Sequence, residues 1–235
     1  MIPIRDDQPR FSTPYVNYFL IGQNIVVFLM EWLTGVQHQH ALNAFLYEFG
    51  VVPRNVTGLL TGTPTFSPVA AILPIFTSMF LHASWEHVIG NMWFLWIFGD
   101  NIEDYLGHFK YLMFYLLSGV AAAFTQIALT PSSGVPSVGA SGAIAGALGA
   151  YFVLYPRARV LTWFPIVFFF YLPAWVMLGY WFVVQFLSGT ATSITATTQP
   201  SGGIAFWAHV GGFVSGVVLI KVLPQRPQRN RYATW

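Results

Sequence analysis

A serine and a histidine far apart in the chain stand in settings that suit nucleophilic chemistry. Ser141 lies in the run Gly139-Ala140-Ser141-Gly142-Ala143-Ile144-Ala145-Gly146, after a loop containing Pro131, Gly134 and Pro136. A helix that starts there presents unbonded backbone N–H groups and the positive end of its dipole. That setting favours a nucleophile whose substrate develops an oxyanion. It equally suits a serine acting as an N-cap, and one residue can do both. His209 shares a helix face with Gly212 and Gly216, at i, i+3 and i+7. Ser141, Ala145 and Gly149 form a matching small-residue face, bordered by the bulky Leu148. Two such helices can approach closely, and Gly142 and Gly146 have the spacing of helix-packing glycines. A serine beside a histidine makes a nucleophile and its base, although a lone histidine in an apolar run is more often a buried hydrogen-bonding residue. His87 and Asn91, four residues apart, share a further helix face. Polar groups that bond a neighbouring helix have that spacing too.

The elements that must position these residues are membrane spans. Of 235 residues, 55% are hydrophobic and only 8% charged, against about 25% charged in soluble domains. The mean hydropathy is +0.59. A soluble core of this length could not bury so much apolar surface, and coiled coil, disorder and a basic nucleic-acid-binding domain are excluded with it. The sequence has no cysteine, hence no thiolate metal site or cysteine nucleophile. Six stretches are apolar enough to be spanning helices, some of them short: about Tyr15 to Met30, Trp85 to Phe98, Tyr111 to Ala128, Ser141 to Tyr155, Val160 to Phe186 and Ile204 to Val222. The first follows Arg5 and Arg10 without a small-residue cleavage pattern and reads as a retained span. The expected fold is an all-α polytopic membrane protein with a long membrane-associated first loop, about Leu33 to Ser84. Pro68 to Phe80, interrupted by Pro74, reads there as an interfacial or re-entrant helix.

With six spans and an inside N-terminus, the inside segments hold Arg5, Arg10, Lys110, Arg157, Arg159, Lys221, Arg226, Arg229 and Arg231, and the outside segments only Arg54. That bias puts both termini on the cytoplasmic side. The chain divides into an N-terminal tail (1–14), a six-span domain (15–222) and a basic C-terminal tail (223–235). Depth brings the serine and histidine together. From Ser141 to Tyr155 is fifteen residues, about 22 Å of helix. A hydrocarbon core of about 30 Å then starts Ser141 roughly 8 Å below the outer interface. His209 reaches about the same depth in its own span. The acidic residues Asp6, Asp7, Glu31, Glu48, Glu86, Asp100, Glu103 and Asp104 all fall outside the span centres, so no acid joins the pair. A buried carboxylate in lipid would carry a large desolvation cost. His82, Ser84, Glu86 and Ser137 are candidates for lining a water cavity open to the outside, and His38 and His40 read as a solvated loop pair.

Together these residues resemble the rhomboid family of intramembrane serine proteases. GASG at Gly139 to Gly142 is similar to its GxSG nucleophile motif, and Ala208-His209 with Gly212 and Gly216 to its AHxxGxxxG motif. His82, His87 and Asn91 resemble the histidine and asparagine cluster of its second span. The resemblance implies a six-span rhomboid-like bundle in which Ser141 attacks a peptide carbonyl and His209 is general base and acid. It implies that Asn91, His87 and the Ser141 N–H stabilise the oxyanion, and that the fifth span with about Ser188 to Gly202 is a lateral gate. The partners implied are transmembrane protein substrates and membrane lipids, with no nucleic acid, metal or other cofactor. A non-catalytic rhomboid-like chaperone or adaptor is the alternative, and such proteins usually lack the serine or the histidine. Many relatives carry an aromatic residue four positions after the nucleophile, packed on the histidine ring. Here that position is Ala145, so another side chain must orient His209. The acidic group Asp100, Glu103 and Asp104 is expected to be structural. Short loops suggest a bacterial inner membrane. Neither substrate nor oligomeric state is written in the sequence.

Overall fold

A computed structural model describes residues 1–64, 66–164, 168–195 and 205–226. The chain opens with a short strand, β1 (Ile2–Arg5), and a long helix, α1 (Tyr15–Gln37). The first loop is itself helical: α2 (Gln39–Phe49), α3 (Pro53–Leu60), α4 (Pro68–Ile72), α5 (Pro74–Thr77) and a 3-10 turn, Ser78–Phe80. Pro53, Pro68 and Pro74 each begin a helix, where the missing N–H has no intrahelical partner to lose. There follow α6 (Trp85–Phe94), a π-helical turn (Leu95–Gly99), α7 (Asp100–Leu106), α8 (His108–Leu129) and α9 (Ser141–Leu154). Strands β2 (Arg159–Phe164) and β3 (Phe168–Pro173) precede α10 (Ala174–Thr195) and α11 (Phe206–Val222).

The fold is the helical membrane bundle expected. Among the described residues three helices, α1, α8 and α10, are long and apolar enough to cross a membrane. Pro68–Phe80 and Trp85–Leu106 pass the same test as a pair bent by 73°, the geometry of a broken span or re-entrant loop, and α9 and α11 are shorter apolar helices. The centre of the bundle is α9. Every residue from Gly142 to Tyr151 is buried, as a helix apolar on all sides requires.

Two boundaries differ from the sequence reading. The fifth span does not run from Val160. Residues 159–173 are instead an antiparallel pair of strands, with Arg159 opposite Pro173 and Phe164 opposite Phe168, and β1 adds to the free edge of β2. Val160 and Thr162 are buried while Arg159 and Trp163 face outward. That period of two is a strand's, and mean hydropathy does not register it. The helical part of the span starts after Pro173 and runs to Thr195, so residues 188–195, expected in a gate loop, are helical; 196–202 lie outside the described residues. The first span also continues past Met30 to Gln37, and Glu31 is buried within it, accepting the backbone N–H of His82 at 3.1 Å.

The acidic residues after the second span hold the chain ends. Glu103 is fully buried and accepts the backbone N–H groups of Val16 (3.0 Å) and Asn17 (2.7 Å). These are first-turn donors of α1, which have no partner inside their own helix. Asp104 accepts from Phe11 N and Ser12 Oγ, and Asp100 pairs with Arg10 at 3.4 Å. Residues 1–14 are therefore folded onto the bundle. Asp6 bonds the Tyr151 hydroxyl, and Asp7 pairs with Arg159 at 2.9 Å. Burial opposes the Asp7 charge, but the Arg159 bonds hold its carboxyl below the ordinary carboxylate range. At the other terminus Arg226 N donates to Tyr105 O at 2.8 Å. Both chain ends thus reach the same end of the bundle, at Asp104 and Tyr105. Residues 227–235 of the C-terminal tail lie outside the described residues.

Glu103→Ala removes the acceptor of the Val16 and Asn17 N–H groups and the partner of the His108 ring. A loss of about 2–6 kcal/mol is expected, from about 1–3 kcal/mol for each of the two backbone groups. Thermal unfolding in detergent measures it, and Glu103→Gln, which keeps an acceptor, should fall between the two.

Candidate active site

Ser141 opens α9 and His209 lies one turn inside α11. The Ser141 Oγ is 2.7 Å from His209 Nε2, and His209 is only 8% exposed. The two helices reach this distance because they meet backbone to backbone. A Cβ on Gly212 would fall on the Gly142 carbonyl, one on Gly216 on the Gly146 carbonyl, and one on Gly149 on the Phe213 carbonyl. Gly142 and Gly146 also face α8, where a Cβ would meet Ala122 and Ser118. These glycines therefore sit where three helices join, and the contact face on α9 includes Gly142 and Gly146 beside Ala145 and Gly149.

The turn before Ser141 is fixed by another glycine. Gly139 has φ +132°, a conformation L side chains rarely adopt, and a Cβ there would lie 2.7 Å from the His87 ring. Its N–H donates to Ser78 O at 2.9 Å. An isolated bridge between Val51 and Ser137 ties this segment to the first loop. His87 stands beside His82, with ring centroids 5.0 Å apart, and His82 Nε2 is 2.9 Å from the Asn91 side-chain nitrogen. His82, His87 and Asn91 thus form one cluster that touches the Ser141 turn through Gly139. One Asn91 N–H is committed to His82 and the amide retains a second donor. Glu86 is exposed and His82 is buried. Ser137 does line a narrow cleft, together with Ser141, Gly139, Gln126, Val51 and Ala208.

Two contacts on His209 come from a helix that sequence reasoning left out of the site. Gln185 Oε1 is 2.7 Å from His209 Nδ1. The Trp181 ring lies 5.7 Å from the imidazole, centroid to centroid, tilted by 38°. Both are on α10, four residues apart. Phe182, the residue after Trp181 on α10, packs on Phe213 of α11, at 4.8 Å. A signal for Gln185 was present. Between Trp175 and Leu187 it is the one amide or charged side chain, and polar groups in apolar spans are expensive and usually functional.

Chemically, a hydroxyl held on an imidazole nitrogen can be deprotonated by it. The position at a helix start, facing a cleft, leaves backbone donors on the side where a reacting carbonyl would sit. The test of the geometry is packing. Gly212→Val should destabilise the protein by about 1–3 kcal/mol or more through overpacking. Gly22→Val, where an added Cβ meets nothing within 4 Å, should leave the thermal midpoint in detergent unchanged.

Comparison with known proteins agrees with this arrangement. A family model described as the rhomboid domain matches residues 70–226. The chain is 30% identical over 226 residues to the yeast Saccharomyces cerevisiae "Rhomboid protein 1, mitochondrial", covering 92% of the chain and 56% of the relative. It is 28% identical over 207 residues to the mouse "Presenilin-associated rhomboid-like protein, mitochondrial", covering 85% and 50%. It is 32% identical over 159 residues to the Arabidopsis thaliana "Rhomboid-like protein 11, chloroplastic", covering 66% and 53%. The chain spans about half the length of each. Their names place them in mitochondria and chloroplasts, so the expectation of a bacterial inner membrane gains no support from them. The match from residue 70 to 226, which takes in the second span and the segments that carry Ser141 and His209, makes this chain an integral membrane protein of the rhomboid family.

Proposed function

We propose that the protein is an intramembrane serine endopeptidase that cuts other membrane proteins in or beside their transmembrane segments. The observation that carries this reading is the 2.7 Å approach of Ser141 Oγ to His209 Nε2, with Ser141 lining a cleft. His209 takes the serine proton as Oγ attacks the scissile carbonyl. The resulting imidazolium then donates from Nε2 to the leaving amine, so the peptide C–N bond breaks and an acyl-serine remains. A water entering through the cleft is deprotonated by His209 in turn and releases the new carboxyl end. The oxyanion is met by the Ser141 backbone N–H, by the free amide donor of Asn91 and by His87.

The substrate enters laterally from lipid and must be extended at the cut, because a helix in lipid gives up hydrogen bonds only where new partners wait. Gly or Pro near the cut lowers that barrier. Both termini of the chain lie on the basic, cytoplasmic-type side of the membrane. The site opens towards the opposite side.

Cleavage of a fluorogenic transmembrane substrate in liposomes, with product masses, tests the reading. Ser141→Ala and His209→Ala should each fall below about a hundredth of wild-type turnover, and the double variant should be no worse than either, since the members of such a unit are not additive. Asn91→Ala should lose about 10²–10³-fold, the usual worth of one oxyanion donor. Turnover retained by Ser141→Ala would overturn the assignment.

A further inference from the structure

A histidine base works through one nitrogen only if the proton sits on the other. For His209 Nε2 to accept the Ser141 proton, Nδ1 must carry the ring's single hydrogen and needs an acceptor. The acceptor is in place on a third helix. Gln185 Oε1 lies 2.7 Å from Nδ1, on the opposite side of the ring from Ser141. Trp181, one turn earlier on α10, covers the ring at 5.7 Å.

We propose that Gln185 is a positioning residue of the reaction, which makes the site a line Ser141–His209–Gln185 rather than an isolated pair. The inference rests on the endopeptidase reading and adds the group that selects the productive tautomer. The amide does what a carboxylate does in other serine enzymes, without placing a buried charge in the bundle. The acidic alternative is expensive in this setting, because an ionised carboxylate in an apolar environment costs far more than an amide that is hydrogen-bonded. The same amide also limits rotation of the imidazole, which Trp181 restrains from its face. Gln185 touches neither substrate nor reacting atoms; it acts through His209.

The role predicts an effect confined to the chemical step. Gln185→Leu keeps most of the side-chain volume and removes the acceptor. It should lower kcat by about 10- to 100-fold, less than the roughly 10⁴-fold known when an ionised partner of the base is replaced, and leave KM within about twofold. Gln185→Glu restores an acceptor and should recover most of the lost kcat. Nitrogen-15 NMR of histidine-labelled protein in detergent reads the tautomer directly, with His209→Ala to assign the signal. Wild type should be protonated at Nδ1, and Gln185→Leu at Nε2. An unchanged kcat in Gln185→Leu, a change confined to KM, or a wild-type ring protonated at Nε2 would each overturn the proposal. If Gln185→Leu does not fold, the wild-type spectrum and the Glu variant still decide. A wild-type protein that cleaves no substrate would sink the endopeptidase reading, while the spectrum would still show whether Gln185 sets the tautomer.

Discussion

Everything at the site depends on how closely α9 and α11 approach. A serine and a histidine on separate helices can share a hydrogen bond only if the two backbones come nearer than ordinary side chains allow. Gly142 under Gly212 and Gly146 under Gly216 meet that condition, with the same four-residue spacing on both helices. Rows at i and i+4 on each surface then interlock. Lipid supplies no hydrophobic drive for the association, so close van der Waals contact must supply it. Glycine Cα atoms set against carbonyl oxygens are also the geometry in which weak Cα–H···O contacts recur between helices.

Close packing on all sides leaves α9 no face for lipid, and its length follows from that. Fourteen residues make about 21 Å of helix, short of a hydrocarbon core of about 30 Å. Both of its ends therefore lie inside protein. At the first, Ser141 faces the cleft below the first loop. At the second, the Tyr151 hydroxyl bonds Asp6, and Ala158 and Val160 of the following segment join the buried core. After α9 the chain turns into the sheet of β2 and β3, and the N-terminal strand β1 completes that sheet. A serine at the start of α9 and an N-terminal strand folded onto the bundle both accompany this short helix.

How much of this was legible depended on whether the signal was local. The rows of small residues, with His209 among them, and the pair His87 and Asn91 are visible in the sequence because their spacing is that of a helix face. The segment 159–173 was misread because it is as apolar as a span; its alternation, Val160 and Thr162 in and Trp163 out, exists only in the fold, since the buried member is a threonine and the exposed one a tryptophan. The first span reads in the sequence as ending at Met30, one residue short of Glu31. One Glu31 oxygen accepts from His82 N, fifty-one residues away, a contact that no local pattern announces. Gln185 stands out in the sequence as the one amide between Trp175 and Leu187, but its partner is on another helix, so the sequence does not say what it does there.

The absence of an aromatic residue at position 145 has its explanation in the same contact. Ala145 is fully buried, and its Cβ lies 3.2 Å from the place a Cβ on Gly212 would occupy. A ring at 145 would have to enter the seam between α9 and α11 and force apart the helices that hold Ser141 to His209. The ring that restrains the imidazole must then come from outside the seam, and α10 is the helix that can supply it. Trp181 does so, with Gln185 on the same face. The tighter the two glycine-rich helices pack, the less room they leave to orient the His209 ring themselves, and the more that task passes to a third helix.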